Sequence, residues 1–448
     1  MSTKTRKEIL NMDDQMIGSF IMMAIFIGFT AYMINFINTN TTMLSDSKFG
    51  SVIYQLLLGA AFLVLLALFA NYKALDFLQD HAYGIIKWSY LITFVAIIGA
   101  FAIFGLFMLP SIVGIVLLAL AGLFLLFTIW IWPSLKARIE LAAEWLTMSA
   151  TIVLNEPGMI VLSFIQSIVI GIAGLTGTFS IYAWNQYADA SNISQNNSDL
   201  VVYGITFLYL WITLFVIYYF DGANTYIAYS RLKGHDPKVG QGINSATHKI
   251  LSLLFYALIS AIVWVIVNFI YSWAKQARRS ARSGKGNNSM AVLAIFAQIF
   301  AGVVEIVYHL VSFFTLPSII VRQNGLPNAM SESYHLFRNT FWDVIISDTG
   351  YSFGSIIMYF VVAVILSIGG FAYGYFVGGQ LFWGFVVAIL GLILGLLMTK
   401  FFLRPLYTSL VTTIYVYASE GPNSMKIVPK KLANHLTSEL KQPRVMRN

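Results

Sequence analysis

The stretch Ile112-Val-Gly-Ile-Val-Leu-Leu-Ala-Leu-Ala-Gly-Leu-Phe-Leu-Leu-Phe-Thr-Ile-Trp-Ile-Trp132 decides the class of this protein: 21 residues in a row carry no charge. A bilayer's hydrocarbon core is about 30 Å thick and needs roughly 20 helical residues at about 1.5 Å rise each. Nine further runs of comparable length flank it, at 16–37, 51–70, 85–108, 159–184, 200–220, 250–273, 290–319, 353–378 and 381–402. Hydrophobic residues make up 58% of the 448-residue chain and charged residues only 10%. A soluble domain carries about 25% charged residues, so this composition cannot build a water-facing surface. Barrel strands alternate over about ten residues, whereas these runs are continuous. A helix also satisfies its own backbone hydrogen bonds in lipid. The sequence therefore predicts an all-α fold: a polytopic α-helical membrane bundle of about ten transmembrane helices with short interfacial amphipathic helices.

The chain divides by its polar interruptions. Residues 1–132 hold four plain spans, 133–158 an interfacial amphipathic helix, 159–420 a six-helix core, and 421–448 a basic tail. In the 133–158 segment, Lys136, Arg138, Glu140 and Glu144 mix with Ile139, Leu141, Trp145 and Met148. That pattern suits a helix lying at the interface, with Arg138 and Trp145 as interfacial residues and Trp145 near headgroup depth. Re-entrant or interfacial helices are expected near 240–250 and 328–342, each opened by a Gly/Pro turn. The shared punctuation reads either as a degenerate internal repeat of the kind found in transporters or as ordinary helix termination.

Basic residues near short loops favour the cytoplasm. Lys4, Arg6 and Lys7 place the N-terminus inside, and an even span count returns the C-terminus inside. The run at 16–37 is too long for a signal-peptide core, so it reads as a retained first span. The loop at 185–199 has no Lys or Arg and falls outside, whereas Lys136, Arg138, Arg231, Lys233 and Lys238 fall inside. One loop disagrees: Lys275, Arg278, Arg279, Arg282 and Lys285 fall outside in this count. Either the rule is broken there or the span count is off by one.

The chain has no cysteine, which removes disulfides, thiolate metal sites and cysteine nucleophiles. No HExxH, GxSxG, P-loop or GxGxxG motif stands in a usable context, so neither an enzyme nor a metal or other cofactor is expected. The net charge of +8 is concentrated in loops and the tail, which argues for membrane lipid and against nucleic acid. Lys426, Lys430, Lys431, Lys441, Arg444 and Arg447 in the tail face only Glu439. Such a tail fits an anionic leaflet. It equally fits a solvated end that only sets topology.

The best site for chemistry is a stripe in the 290–319 run: Gln298, Gly302, Glu305, His309 and Ser312, spaced by three or four residues on one helical face. An ionisable group such as Glu305 inside an apolar segment is costly unless paired, protonated or hydrated. A proton or cation site is the functional reading; a neutral carboxyl fixing helix packing is the structural one. Ser163, Gln166, Ser167, Gly171 and Gly174 could line a path, but small residues more often let a neighbouring helix approach. Asp221, at the end of the 200–220 run, has no evident acidic partner. Gly370, Gly374 and Gly378 form GxxxGxxxG, and Gly391 and Gly395 follow in the next run. These faces predict a close hairpin, with self-association into a homo-oligomer as a second use.

Three stretches carry a resemblance. They are Asn224-Thr-Tyr-Ile-Ala-Tyr-Ser-Arg-Leu-Lys-Gly-His-Asp-Pro, Leu316-Pro-Ser-Ile-Ile-Val with Gly325-Leu-Pro-Asn-Ala-Met-Ser-Glu-Ser, and Tyr415-Val-Tyr-Ala-Ser-Glu-Gly-Pro. Over residues 133 to 432 they resemble a prokaryotic family of multi-pass membrane proteins of unknown function. More distantly, the segment from Glu305 through Phe337-Arg-Asn to Asp348 is similar to choline-transporter-like proteins. That group's cysteine-bearing pattern is replaced here by Asn328-Ala-Met-Ser-Glu-Ser. Transport of a small polar or amphiphilic solute past the 290–319 run is the leading expectation. A non-transporting scaffold that binds lipid or a partner is the alternative.

Overall fold

The computed structural model describes residues 47–109, 111–191, 193–282, 288–421 and 424–426. The run at 16–37, the tail from 427 and part of the 275–285 loop lie outside the described residues. The protein is all-α, with ten helices and no strand among the described residues. They are α1 (Ser47–Phe107), α2 (Ile112–Asn155), α3 (Pro157–Ala190), α4 (Gln195–Leu232) and α5 (Val239–His248), then α6 (Ile250–Arg282), α7 (Asn288–Ser312), α8 (Thr315–Val321), α9 (Leu326–Gly378) and α10 (Leu381–Glu420). Seven of them are membrane-spanning apolar helices, and the protein is a multi-pass membrane protein.

Several expected breaks are absent. The runs at 51–70 and 85–108 lie in one 61-residue helix, α1. The connecting residues Lys73-Ala-Leu-Asp-Phe-Leu-Gln79 are polar enough to end an apolar run, yet all are tolerated in a helix. Polarity interrupts hydropathy without interrupting backbone hydrogen bonding. At about 92 Å, α1 is three times as long as the hydrocarbon layer is thick. The segment expected as a separate interfacial helix is the C-terminal half of α2, which runs through Pro133. That half ends where Glu156 leaves helical geometry (φ −124°) and Pro157 opens α3. Proline disfavours helix in the residue before it but suits a first helical position. The 290–319 run is divided between α7 and α8, and α9 is kinked at Thr340 (φ −116°).

The chain forms two compact units. The first takes residues up to Ile160 with Phe341–Leu410; the second takes Val161–Thr340 with Val411–Lys426. In the first unit, α1 and α2 run antiparallel, joined by Thr147 Oγ1 donating to the Gln79 carbonyl at 3.1 Å. Ser111 caps α2 by accepting from the Gly114 amide at 3.2 Å. Ala67 and Ala70 of α1 pack with Val362 and Leu366 of α9 and Met398 of α10. Arg138 of α2 pairs with Asp343 of α9 at 2.5 Å.

In this unit the glycine faces meet. A Cβ at Gly370 would lie 3.0 Å from the Val387 carbonyl carbon, and one at Gly374 would strike the Trp383 carbonyl oxygen. Gly391 and Gly395 face the backbone at Leu366 and Ala363 in the same way, while Gly378 ends α9. Gly379 makes the turn at φ +64°. Gly370, Gly374, Gly391 and Gly395 are thus occupied by contacts within the chain.

In the second unit, α5 packs closely on α4 at Gly242, where an added Cβ would be 2.7 Å from the Ala223 carbonyl oxygen. Trp211 Nε1 of α4 donates to the Leu254 carbonyl of α6 at 3.1 Å, and Phe314 N donates to Ser333 Oγ at 2.9 Å.

Candidate functional site

The expected stripe on α7 does not enter the core of the second unit. Glu305 and His309 are exposed, while Gln298 and Ser312 are half-buried. Glu305 Oε2 accepts from Tyr271 OH at 3.5 Å, and the His309 ring stands edge-on to Phe313 at 5.6 Å. Spacing put these residues on one helical face, which touches α6 through Tyr271 but leaves Glu305 and His309 exposed. Trp145, expected near headgroup depth, is fully buried in the first unit, and Arg138 is held by Asp343.

A different set of polar residues fills the contact between α3 and α4. Ser163, Gln166, Asp221, Asn224 and Thr225 are all buried, with Asp221 only 4% exposed. Gln166 Nε2 donates to the Ile217 carbonyl at 3.2 Å and lies 3.5 Å from Asp221 Oδ1. Asn224 Nδ2 donates to Ser163 Oγ at 3.3 Å. Asn224 Oδ1 and Thr225 Oγ1 are buried with no hydrogen-bond donor among the described residues. Leaving a buried acceptor unmade costs about 1–3 kcal/mol, so such atoms suit a ligand or water that donates. The set is rich in acceptors and contains a carboxylate, which favours a cation bearing a donor.

One turn before Asp221 on α4, Tyr218 enters an aromatic cluster. Its ring stacks on Tyr256 of α6 at 4.3 Å. Its hydroxyl donates to Ser260 Oγ at 2.9 Å, and Ser260 also bonds Tyr308 of α7. Tyr256 OH donates to the Ser312 carbonyl at 3.2 Å. Faces of tyrosine rings attract cations, and Tyr218 puts a stacked ring pair one turn from the Asp221 carboxylate along α4.

A third cluster explains the motif stretches. Glu332 Oε2 accepts from Ser318 Oγ at 2.6 Å and Asn324 Nδ2 at 2.7 Å, while Oε1 receives Tyr415 OH at 3.1 Å and lies 3.2 Å from Arg322 Nε. Arg322 also donates to the Ser419 carbonyl at 3.3 Å. Lys233 pairs with Glu420 and donates to the Ser424 carbonyl at 3.2 Å, and Lys426 N donates to the Leu232 carbonyl at 2.9 Å. Stretches far apart in sequence thus form one clamp within the second unit. Lys233→Ala is expected to speed tryptic cleavage after Lys426 several-fold, read by limited proteolysis in detergent, because the segment beyond α10 loses its side-chain anchor.

In the sequence Glu332 and Tyr415 stand out only as letters of the motif stretches and Lys233 only as a cytoplasmic-side cation, while Ser163 and Gln166 fit helix packing. The glycines meant to serve that packing, Gly171 and Gly174, have nothing within 4 Å of an added Cβ. The signal available was that the polar residues of 163–167 and 221–225 are both clustered on apolar helices. Among the described residues no group of three or more His, Cys, Asp or Glu is placed to hold a metal ion.

A search of curated proteins returns no match. The profile of a family described as "Plasma-membrane choline transporter" matches residues 115–422, more than half of the chain. The match begins inside the 112–132 run, so it takes in the fourth apolar run that the motif resemblance left out. It also reverses the order of the two resemblances, since the choline-transporter relation is the family itself and not a distant echo. The chain is therefore a polytopic membrane protein of a solute-transporter family, and it belongs to the plasma-membrane choline transporter family.

Proposed function

We propose that this protein moves a small organic cation across the membrane, of the choline type: a quaternary or protonated amine bearing a hydroxyl group. The carrying observation is the buried α3–α4 set, in which the Asp221 carboxylate lies one turn from the stacked Tyr218 and Tyr256 rings. The carboxylate and the ring faces suit the cationic centre. Asn224 Oδ1 and Thr225 Oγ1 suit a hydroxyl donor. The family description names choline transporters, which supports the same chemistry. Lys136, Arg138, Arg231 and Lys233 favour the cytoplasmic side for their ends of the helices, by the bias of basic residues toward that face.

The test is uptake of labelled choline into vesicles reconstituted with purified protein. Asp221→Asn is expected to lower uptake efficiency by about tenfold or more, since an interaction with a charged group is worth roughly 1.5–3 kcal/mol. Tyr218→Leu is expected to raise KM, while Glu305→Gln, on an exposed face, leaves uptake close to wild type. Equal uptake by wild type and Asp221→Asn removes this reading. If no cation accumulates with folded wild-type protein, the scaffold alternative stands in its place.

A further inference from the structure

We propose that the outward groove between α1 and α9 in the first unit binds a phospholipid, with an acyl chain along its apolar wall and the lipid phosphate on Lys73. The groove has a volume of about 230 Å³. Leu66 and Ala70 of α1 and Val361 and Ile365 of α9 line it, and Lys73 is the one charged residue among its lining. Val361 and Ile365 are exposed, so the groove opens outward from two membrane-spanning helices. Lipid tails are the solvent of such a surface, and a polar solute would leave its walls unmatched.

Lys73 distinguishes this groove from ordinary lipid-facing surface. It stands three residues past the apolar run at 51–70, where a lysine lays its stem along apolar surface and holds its ammonium at headgroup level. Its described ion pair is with Asp76 of the same helix at 3.3 Å, and both side chains are about half exposed. Such an exposed pair is weak, so the ammonium remains available to a phosphate oxygen. Asp76 then acts as a competitor, which gives the proposal a sign reversal: removing Lys73 weakens phospholipid binding, and removing Asp76 strengthens it.

The experiment exchanges purified full-length protein in detergent with an equimolar mixture of phosphatidylglycerol and diacylglycerol of identical chains. Native mass spectrometry then reads the retained lipid. Wild type is expected to keep phosphatidylglycerol in preference. Lys73→Gln is expected to lower phosphatidylglycerol retention about fivefold, the size of one basic residue at a charged membrane surface, with diacylglycerol unchanged. Asp76→Asn raises phosphatidylglycerol retention, and Val361→Trp, which fills the groove from its exposed side, lowers both lipids. The proposal is overturned if Lys73→Gln keeps wild-type retention, or if Asp76→Asn loses phosphatidylglycerol as Lys73→Gln does. Choline uptake is a separate readout, so failure here leaves the transport reading standing.

Discussion

Replacing Gly391 with leucine is expected to abolish recovery of folded, monodisperse protein from detergent. At this position an added Cβ would strike the Leu366 carbonyl oxygen and lie 3.0 Å from its carbonyl carbon. Overpacking usually costs about 1–3 kcal/mol because side chains shift to make room. Here the obstacle is the backbone of a helix, which cannot shift without parting α9 from α10, so the cost lies at or beyond the top of that range. Gly171→Leu is the control, because nothing lies within 4 Å of its added Cβ. Size-exclusion profiles and thermal unfolding of the two variants should diverge sharply. Equal stability would mean that α9 and α10 do not meet at their glycines.

Glu332→Ala should be the most damaging loss of a single side-chain charge. One carboxylate receives Arg322, Ser318, Asn324 and Tyr415, and its own side chain is 18% exposed. Removing one partner of a buried pair costs about 3–5 kcal/mol because the other is left unmatched. Arg322 is 45% exposed and Glu332 only part-buried, so the cost falls below that range, at about 1.5–3 kcal/mol, the worth of hydrogen bonds to a charged group. Glu332→Gln keeps acceptors for Ser318 or Asn324 and should fall between alanine and wild type. A double-mutant cycle with Arg322→Met, read by thermal unfolding, separates the ion pair from the neutral hydrogen bonds. An additive cycle would show that Arg322 contributes nothing through Glu332.

These two positions differ in how they could be read from sequence. Gly370, Gly374, Gly391 and Gly395 announce themselves through four-residue spacing, since stacked glycines on a helix have few purposes other than close approach. Glu332 gave no such sign. It sits in a short polar segment that looks like any helix entry, and its partners come from α8, the following loop and α10. Helix boundaries were partly legible for a related reason. Proline at 157 marks a true break, whereas the charged residues between 70 and 85 mark only a change of surroundings for a helix that continues.

By itself the sequence determined the membrane class, the helical backbone and the glycine-faced hairpin. All three follow from local rules: the length of apolar runs, the need of backbone groups for partners in lipid, and residue spacing. The tertiary structure alone decided which polar residues matter. Spacing placed Glu305 and His309 on one face of α7 and Asp221 near the end of a span, but could not say which would be covered. In a soluble protein the apolar face of a helix points inward and settles the question. In a bilayer both faces are apolar, because lipid tails are as apolar as a packed core, so the contrast that marks inside from outside is lost. The packing around α4 buries Asp221 and brings Gln166 of α3 to it, while Glu305 on α7 stays exposed beside Tyr271.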